Sequence, residues 1–328
     1  MSMQWWDALV AAGAVPAAFV PPGGPGRTDA DEGAEPGADL VEGEAVAVRP
    51  VALTPAPPVC FLDGIEQWKV VGYDGAVPIV RAYVAAAVRR RGPDRRLHTA
   101  YEAARDFAIA PLAAVAPARR RALEAHCPDV VDIALDEGVQ PARVLELARR
   151  AVDAARQRLE RDLAERCVAT LAPGEWLVVD GLLSVSAKLA RHPRALGVIK
   201  SHGAQFFTGA DLERALTVPA AHRTSVFRAR GGHARNEVYS WYLRLWPWEG
   251  NDLLYGLLRV EACAAAETIA GATGTSGWLL GERAPLATPD ARWDRLMYPI
   301  HDVETYLRSR APRDLLSHRA SRLPKTGT

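Results

Sequence analysis

The chain has 328 residues, 49% of them hydrophobic, and a formal net charge of +1. That content excludes a chain unable to form a core, and the length allows one elaborated domain or two. No apolar run is long enough to span a bilayer and no export signal follows Met1, so a cytoplasmic protein without membrane contact is expected.

Charge is unevenly spread. Acid gathers in residues 1–50, and base gathers near the end at Arg308, Arg310, Arg313, Arg319, Arg322 and Lys325. This suits a polyanion near that end, or a solvated tail. Cys60, Cys127, Cys167 and Cys263 are widely spaced and form no CxxC, so they read as buried thiols.

In chain order, residues 1–19 suit a short amphipathic helix that docks on its own domain or a partner, with Trp5, Trp6, Leu9 and Val10 on one face. Residues 20–58, rich in Pro, Gly and acid, read as a disordered acidic linker. The folded part begins at Val59–Asp63, VCFLD, an apolar run halted by Asp-Gly. Ile65–Tyr73 and Val77–Val88 flank the turn signal Asp74-Gly75 and predict a hairpin. Residues 92–150 are Ala- and Arg-rich, interrupted by Pro111, Pro117, Pro128 and Pro141, and predict a helical insertion.

Ala142–Leu171 has the period of a long helix. Arg156, Leu159, Leu163, Cys167 and Leu171 share a face that includes Glu160, whereas Glu165 lies opposite. Trp176–Val179 is a buried strand ending in Asp180-Gly181. Leu182–Arg191 suits a turn and short helix, and Ala195–Ile199 a strand ending at Lys200. Asp211–Leu216 suits a helix, and Thr224–Arg228, Glu237–Trp246 and Leu253–Glu261 suit three strands. The loop Arg228–Arg235, RARGGHAR, offers Arg228, Arg230 and Arg235 to phosphate or to solvent. Trp241, Trp246 and Trp248 suit a core or dimer interface. Cys263–Ala272 is helical, 283–293 a loop and Tyr298–Arg310 a final helix. The domain plan is 1–58, then a folded domain 59–310, then a basic tail 311–328.

A carboxylate at the end of a buried strand needs a cation, a metal or backbone donors. Asp63 and Asp180 both satisfy this description, and the final helix adds His301, Asp302 and Glu304. Carboxylates converging at one sheet edge suit hard Mg²⁺ or Mn²⁺ ions and phosphodiester hydrolysis. Either Asp-Gly pair alone also suits a turn. Lys200 and Glu261 suit a structural ion pair, or Lys200 a phosphate contact.

The blocks CFLDG (60–64), WLVVDGLL (176–183), LGVIKS (196–201), YGLLRVE (255–261) and MYPIHDVE (297–304) occur in the order and approximate spacing of the NurA nucleases, which the chain resembles from Val59 to Arg310. The resemblance implies an α/β fold with an RNase H-like mixed sheet flanked by helices. It implies a Mn²⁺-dependent 5′–3′ DNA nuclease, a homodimer, and a hexameric HerA-like ATPase partner in DNA repair or defence. Asp63 and Asp180 match the family's metal-binding aspartates. A helix glutamate, Glu160 or Glu165, is implied as a further ligand, with Glu160 favoured by its face. The closing histidine matches His301, or is replaced by Asp302 or Glu304. Ile65 departs from the family's small hydroxyl residue after Asp-Gly, which also admits a weakly active or inactive subunit that guides DNA and docks the ATPase.

Overall fold

The structure, a computed structural model, describes residues 4–13, 15–16, 37–92, 94–135, 138–200, 202, 205–231, 236–248, 253–284 and 295–316. The elements in order are α1 (Gln4–Ala11), β1 (Val15–Pro16), β2 (Gly37–Leu40), β3 (Val48–Pro50), β4 (Val59–Asp74), β5 (Val77–Arg91) and β6 (Leu97–Ala110). After a 3₁₀ turn come α2 (Pro117–His126), β7 (Val130–Asp132), α3 (Pro141–Val168), β8 (Trp176–Asp180), α4 (Ala187–Ala190), β9 (Ala195–Ile199) and α5 (Gly209–Leu216). The chain continues with β10 (His222–Thr224), β11 (Phe227–Arg230), β12 (Val238–Arg244), β13 (Leu257–Cys263), α6 (Ala266–Gly281), α7 (Tyr298–Arg310) and α8 (Arg313–Leu316).

The strands form one mixed sheet, whose main path runs β2-β11-β12-β13-β9-β8-β4-β5-β6-β7. β4–β8, β8–β9 and β6–β7 are parallel, and the remaining neighbours are antiparallel. Helices cover both faces. On one, Val144, Ala148 and Val152 of α3 pack on Val80, Ala82 and Val84. On the other, Ile300, Val303 and Leu307 of α7 join Phe61, Tyr83 and Ala85, with Trp278 and Leu279 of α6. Double cover explains β5: a strand buried on both faces has no polar side to show and reads as a continuous apolar run. Its alanines let helices approach from each side.

Four expectations are corrected. The run 92–150 is not a helical insertion, because β6 occupies 97–110. Phe107 and Ile109 alternate with Asp106 and Ala108, and β5 needs a second neighbour for its backbone groups, which outweighs the helical propensity of Ala and Arg. Pro117 and Pro141 start helices rather than break them. Residues 37–58 are not a structureless linker: β2 pairs with β11 and β3 with β10, while Glu42 accepts from Arg223 at 2.7 Å and from the Val226 N–H at 2.9 Å. Residues 17–36 lie outside the described residues. Finally, β4 does not stop at Asp63 but runs on to Asp74, where Gly75, at φ 59°, makes the tight hairpin turn.

Helix α1 docks on its own domain, with Leu9 fully buried among Val71, Ile79 and Leu123; the Trp5 and Trp6 side chains and the tail beyond 316 lie outside the described residues. Trp241 is core and donates to Ser276 Oγ at 2.9 Å. Among the described residues no helix is long and apolar enough to cross a membrane.

Candidate functional site

The parallel register of β4 and β8 pairs Leu62 with Val179. One step further along both strands stand Asp63 and Asp180, side by side on strands about 4.8 Å apart and directed to the same face. β9 pairs Val198 with Asp180, so Lys200, two residues on, shares that face. Its Nζ donates to Asp180 Oδ2 at 2.8 Å. The two aspartates and the lysine therefore meet where parallel strands β8 and β9 end, a common location for ligand sites in α/β sheets.

The loop after Asp180 is held from below. Gly181 adopts φ 130°, and its N–H donates to Val198 O at 3.0 Å. Gly197 must lack a side chain, since a Cβ there would lie 2.5 Å from Gly181 O. Buried Glu261 accepts from the Leu183 and Ser184 N–H groups at 2.8 and 3.2 Å, and from Arg259 at 2.8 Å. Asn236 donates to Ser184 O at 2.8 Å. Glu261 thus fixes the backbone behind Asp180. The expected Lys200–Glu261 ion pair is not formed; each residue has a nearer partner on its own side of the sheet.

Glu160 reaches the site from the α3 layer. Its carboxyl end lies against Gly64, where a Cβ would be 2.9 Å from both Cγ and Cδ. The missing side chain at 64 is the opening that admits it. Arg156, one turn earlier, donates to Glu160 at 2.5 Å, to Asp153 at 2.6 Å and to Glu66 at 3.1 Å. Glu165 is turned away and accepts from Ser186 Oγ at 2.7 Å. Helix α7 closes the other side. Its Asp302 pairs with Arg89, while the charge of Glu304 reaches Lys200. His301 is 36% exposed, with Nδ1 4.0 Å from Glu304 Oε2.

Electrostatics follow from this crowding. Burial raises the Asp63 carboxyl well above its usual range, and the charge of Asp180 raises it further; Lys200 and the Gly64 N–H, which donates to Oδ1 at 2.7 Å, pull the other way. Burial pushes Glu160 up to about 7 against the pull of Arg156. Burial alone would lower the Lys200 ammonium, yet Asp180 and Asp63 hold it above its ordinary value, so it stays charged.

Arg228 and Arg230 do not lie on the expected loop but on strand β11, paired with β2 and apart from the aspartates. Arg228 pairs with Glu237 at 2.9 Å and Arg230 with Asp39 at 3.0 Å, on a strand four places from β8. Arg235 lies outside the described residues.

A hard divalent ion suits the donors, which are carboxylate oxygens. Among the described residues, Lys200 pairs with Asp180 and Arg156 with Glu160, and Arg156 also serves Glu66 and Asp153. Among the described residues, however, no three His, Cys, Asp or Glu groups form a ready ligand set. Glu160 approaches from the opposite layer and is engaged by Arg156, so Asp63 and Asp180 are the pair placed to hold an ion. No protein-family model matches the chain, and comparison with curated proteins gives no match.

Proposed function

We propose that the chain is a divalent-metal-dependent DNA nuclease of the NurA kind, with an RNase H-like core. The observation that carries this reading is the place of Asp63 and Asp180, each one step beyond the Leu62–Val179 pair of two adjacent parallel strands. Asp63 and Asp180 would hold Mn²⁺ or Mg²⁺, joined by Glu160 and His301. When bound, the ion supplies an activated water and neutralises charge on the phosphate. Lys200, held charged at the strand ends, is positioned to offset negative charge on a non-bridging phosphate oxygen. Glu261 keeps the backbone behind Asp180 from drifting. DNA contact at Arg228 and Arg230 would require exchange of their carboxylate partners. A homodimer, a HerA-like hexameric ATPase partner and a cytoplasmic location belong to the same proposal.

One observation favours a second reading. Asp180 and Glu160 are paired with Lys200 and Arg156, which suits a weakly active or inactive subunit that guides DNA and docks an ATPase.

Cleavage of linear DNA with and without Mn²⁺, by wild type, Asp63→Asn and Asp180→Asn, tests the first reading. Cleavage lost in both variants supports it, and equal cleavage by all three overturns the site assignment. No cleavage by wild type, with a stable complex with a HerA-like ATPase in light scattering, selects the second.

A further inference from the structure

We infer that Arg156 is a displaceable internal counter-ion: it holds Glu160 in the metal-free protein and releases it when a divalent cation binds at Asp63 and Asp180. The inference rests on the proposed metal site and concerns how that site would gain a third ligand.

Arg156 is oversubscribed. One guanidinium, 19% exposed, faces three carboxylates from three directions. Nε serves Glu66 of β4, Nη2 serves Asp153 one turn earlier on α3, and Nη1 serves Glu160 one turn later. Loss of Glu160 still leaves Arg156 with two anions, so its charge is never stranded in the interior. Each of its three carboxylate bonds uses a different nitrogen, and Lys, with a single point charge, has no equivalent fork.

Glu160 stands in the opposite position. Its nearest charges beyond Arg156 include Asp180 and Asp153, and its own charge acts on Asp63. It is wedged against Gly64, within the α3 layer. Without a cation it would be a buried carboxylate among carboxylates, which is very unfavourable. Arg156 supplies that cation until a divalent ion offers a stronger one. The geometry thus makes the ligand set conditional: two aspartates permanently in place, and a glutamate added by exchange.

The test is calorimetric titration of Mn²⁺ into the full chain, without DNA. Removing the competing cation in Arg156→Gln is expected to tighten Mn²⁺ binding about tenfold, or about 1.4 kcal/mol. Glu160→Gln should abolish that gain, so that adding Arg156→Gln to it changes nothing further. If Arg156→Gln does not fold, Arg156→Lys, which cannot serve three carboxylates, should tighten binding about threefold. Unchanged or weaker binding in the folded Arg156 variant, with binding lost in Asp180→Asn, overturns the counter-ion role and leaves the metal site standing. Wild-type binding in Asp180→Asn overturns the metal site, and the counter-ion role with it.

Discussion

Glu160 lies where the side chain of residue 64 would be. A Cβ at Gly64 would come within 2.9 Å of its Cγ and Cδ, closer than such atoms approach. Gly64→Ala must therefore displace Glu160, and with it one arm of the Arg156 fork. Alanine in an open strand stabilises by lowering the entropy of the unfolded chain. Here the expected outcome is the reverse, a loss of about 1–2 kcal/mol in urea unfolding. A gain in stability would show that Glu160 does not occupy this place.

The two aspartates should respond to neutralisation with opposite signs. Asp63 is buried beside Asp180, with its carboxyl raised by both effects, and its charge opposes folding at neutral pH. Asn keeps the Oδ1 acceptor for the Gly64 N–H and removes the charge. Asp63→Asn is expected to stabilise the metal-free protein by about 1 kcal/mol at pH 7. Asp180 is the direct acceptor for Lys200. Asp180→Asn leaves that half-buried ammonium without its nearest anion and should cost about 1 kcal/mol. Denaturant unfolding of both variants with chelator present checks the pair; equal shifts would contradict the assignment of Lys200 to Asp180.

Much of this arrangement is legible in the sequence, for identifiable reasons. Asp180 stood out because a short apolar strand ended at Asp-Gly, and the strand does end there. Glu160 and Glu165 were separable because a long helix has a fixed period, and only Glu160 lay on the sheet-facing stripe. The same stripe contained Arg156, and a charged residue on a buried stripe signals a partner nearby. The Asp-Gly pair marks Asp63 but not the end of its strand, which continues eleven residues further. The union of Lys200 with Asp180 was hidden because it depends on β8 and β9 being parallel neighbours, which no local pattern encodes. Strand β6 was hidden by its own composition: Ala and Arg favour helix, and only the need of β5 for a second neighbour decides otherwise.

Glu261 provides a test of the support behind Asp180. One oxygen takes two backbone N–H groups and the other takes Arg259, all within the interior. Glu261→Gln keeps a single acceptor oxygen and removes the charge opposite Arg259. The expected loss is about 3 kcal/mol by chemical denaturation. Amide exchange at Leu183 and Ser184 should quicken more than exchange in the α3 helix. Uniform quickening would mean a general loss of stability rather than a specific loss of the loop's anchor.

His202 gives the protein a pH dependence of its own, away from the aspartates. Burial lowers its pKa to about 4, against the opposing effect of the Leu257 carbonyl, and the charges of Arg295, Arg259 and Arg244 lower it further. Its Nε2 donates to that carbonyl at 2.9 Å, and its ring lies 6.0 Å from Tyr242. The folded state therefore holds a neutral imidazole, whereas the unfolded chain protonates near the ordinary value of about 6.5. A depressed pKa means that the unfolded state binds more protons in between. The stabilising contribution is complete above about pH 6.5 and is lost as pH falls from there toward 4. His202→Gln keeps a donor for Leu257 O and does not titrate. Between pH 7 and 4 wild type should lose about 2 kcal/mol more stability than this variant, measured by urea unfolding at each pH. Parallel pH profiles for the two proteins would show that His202 is not held neutral by the fold.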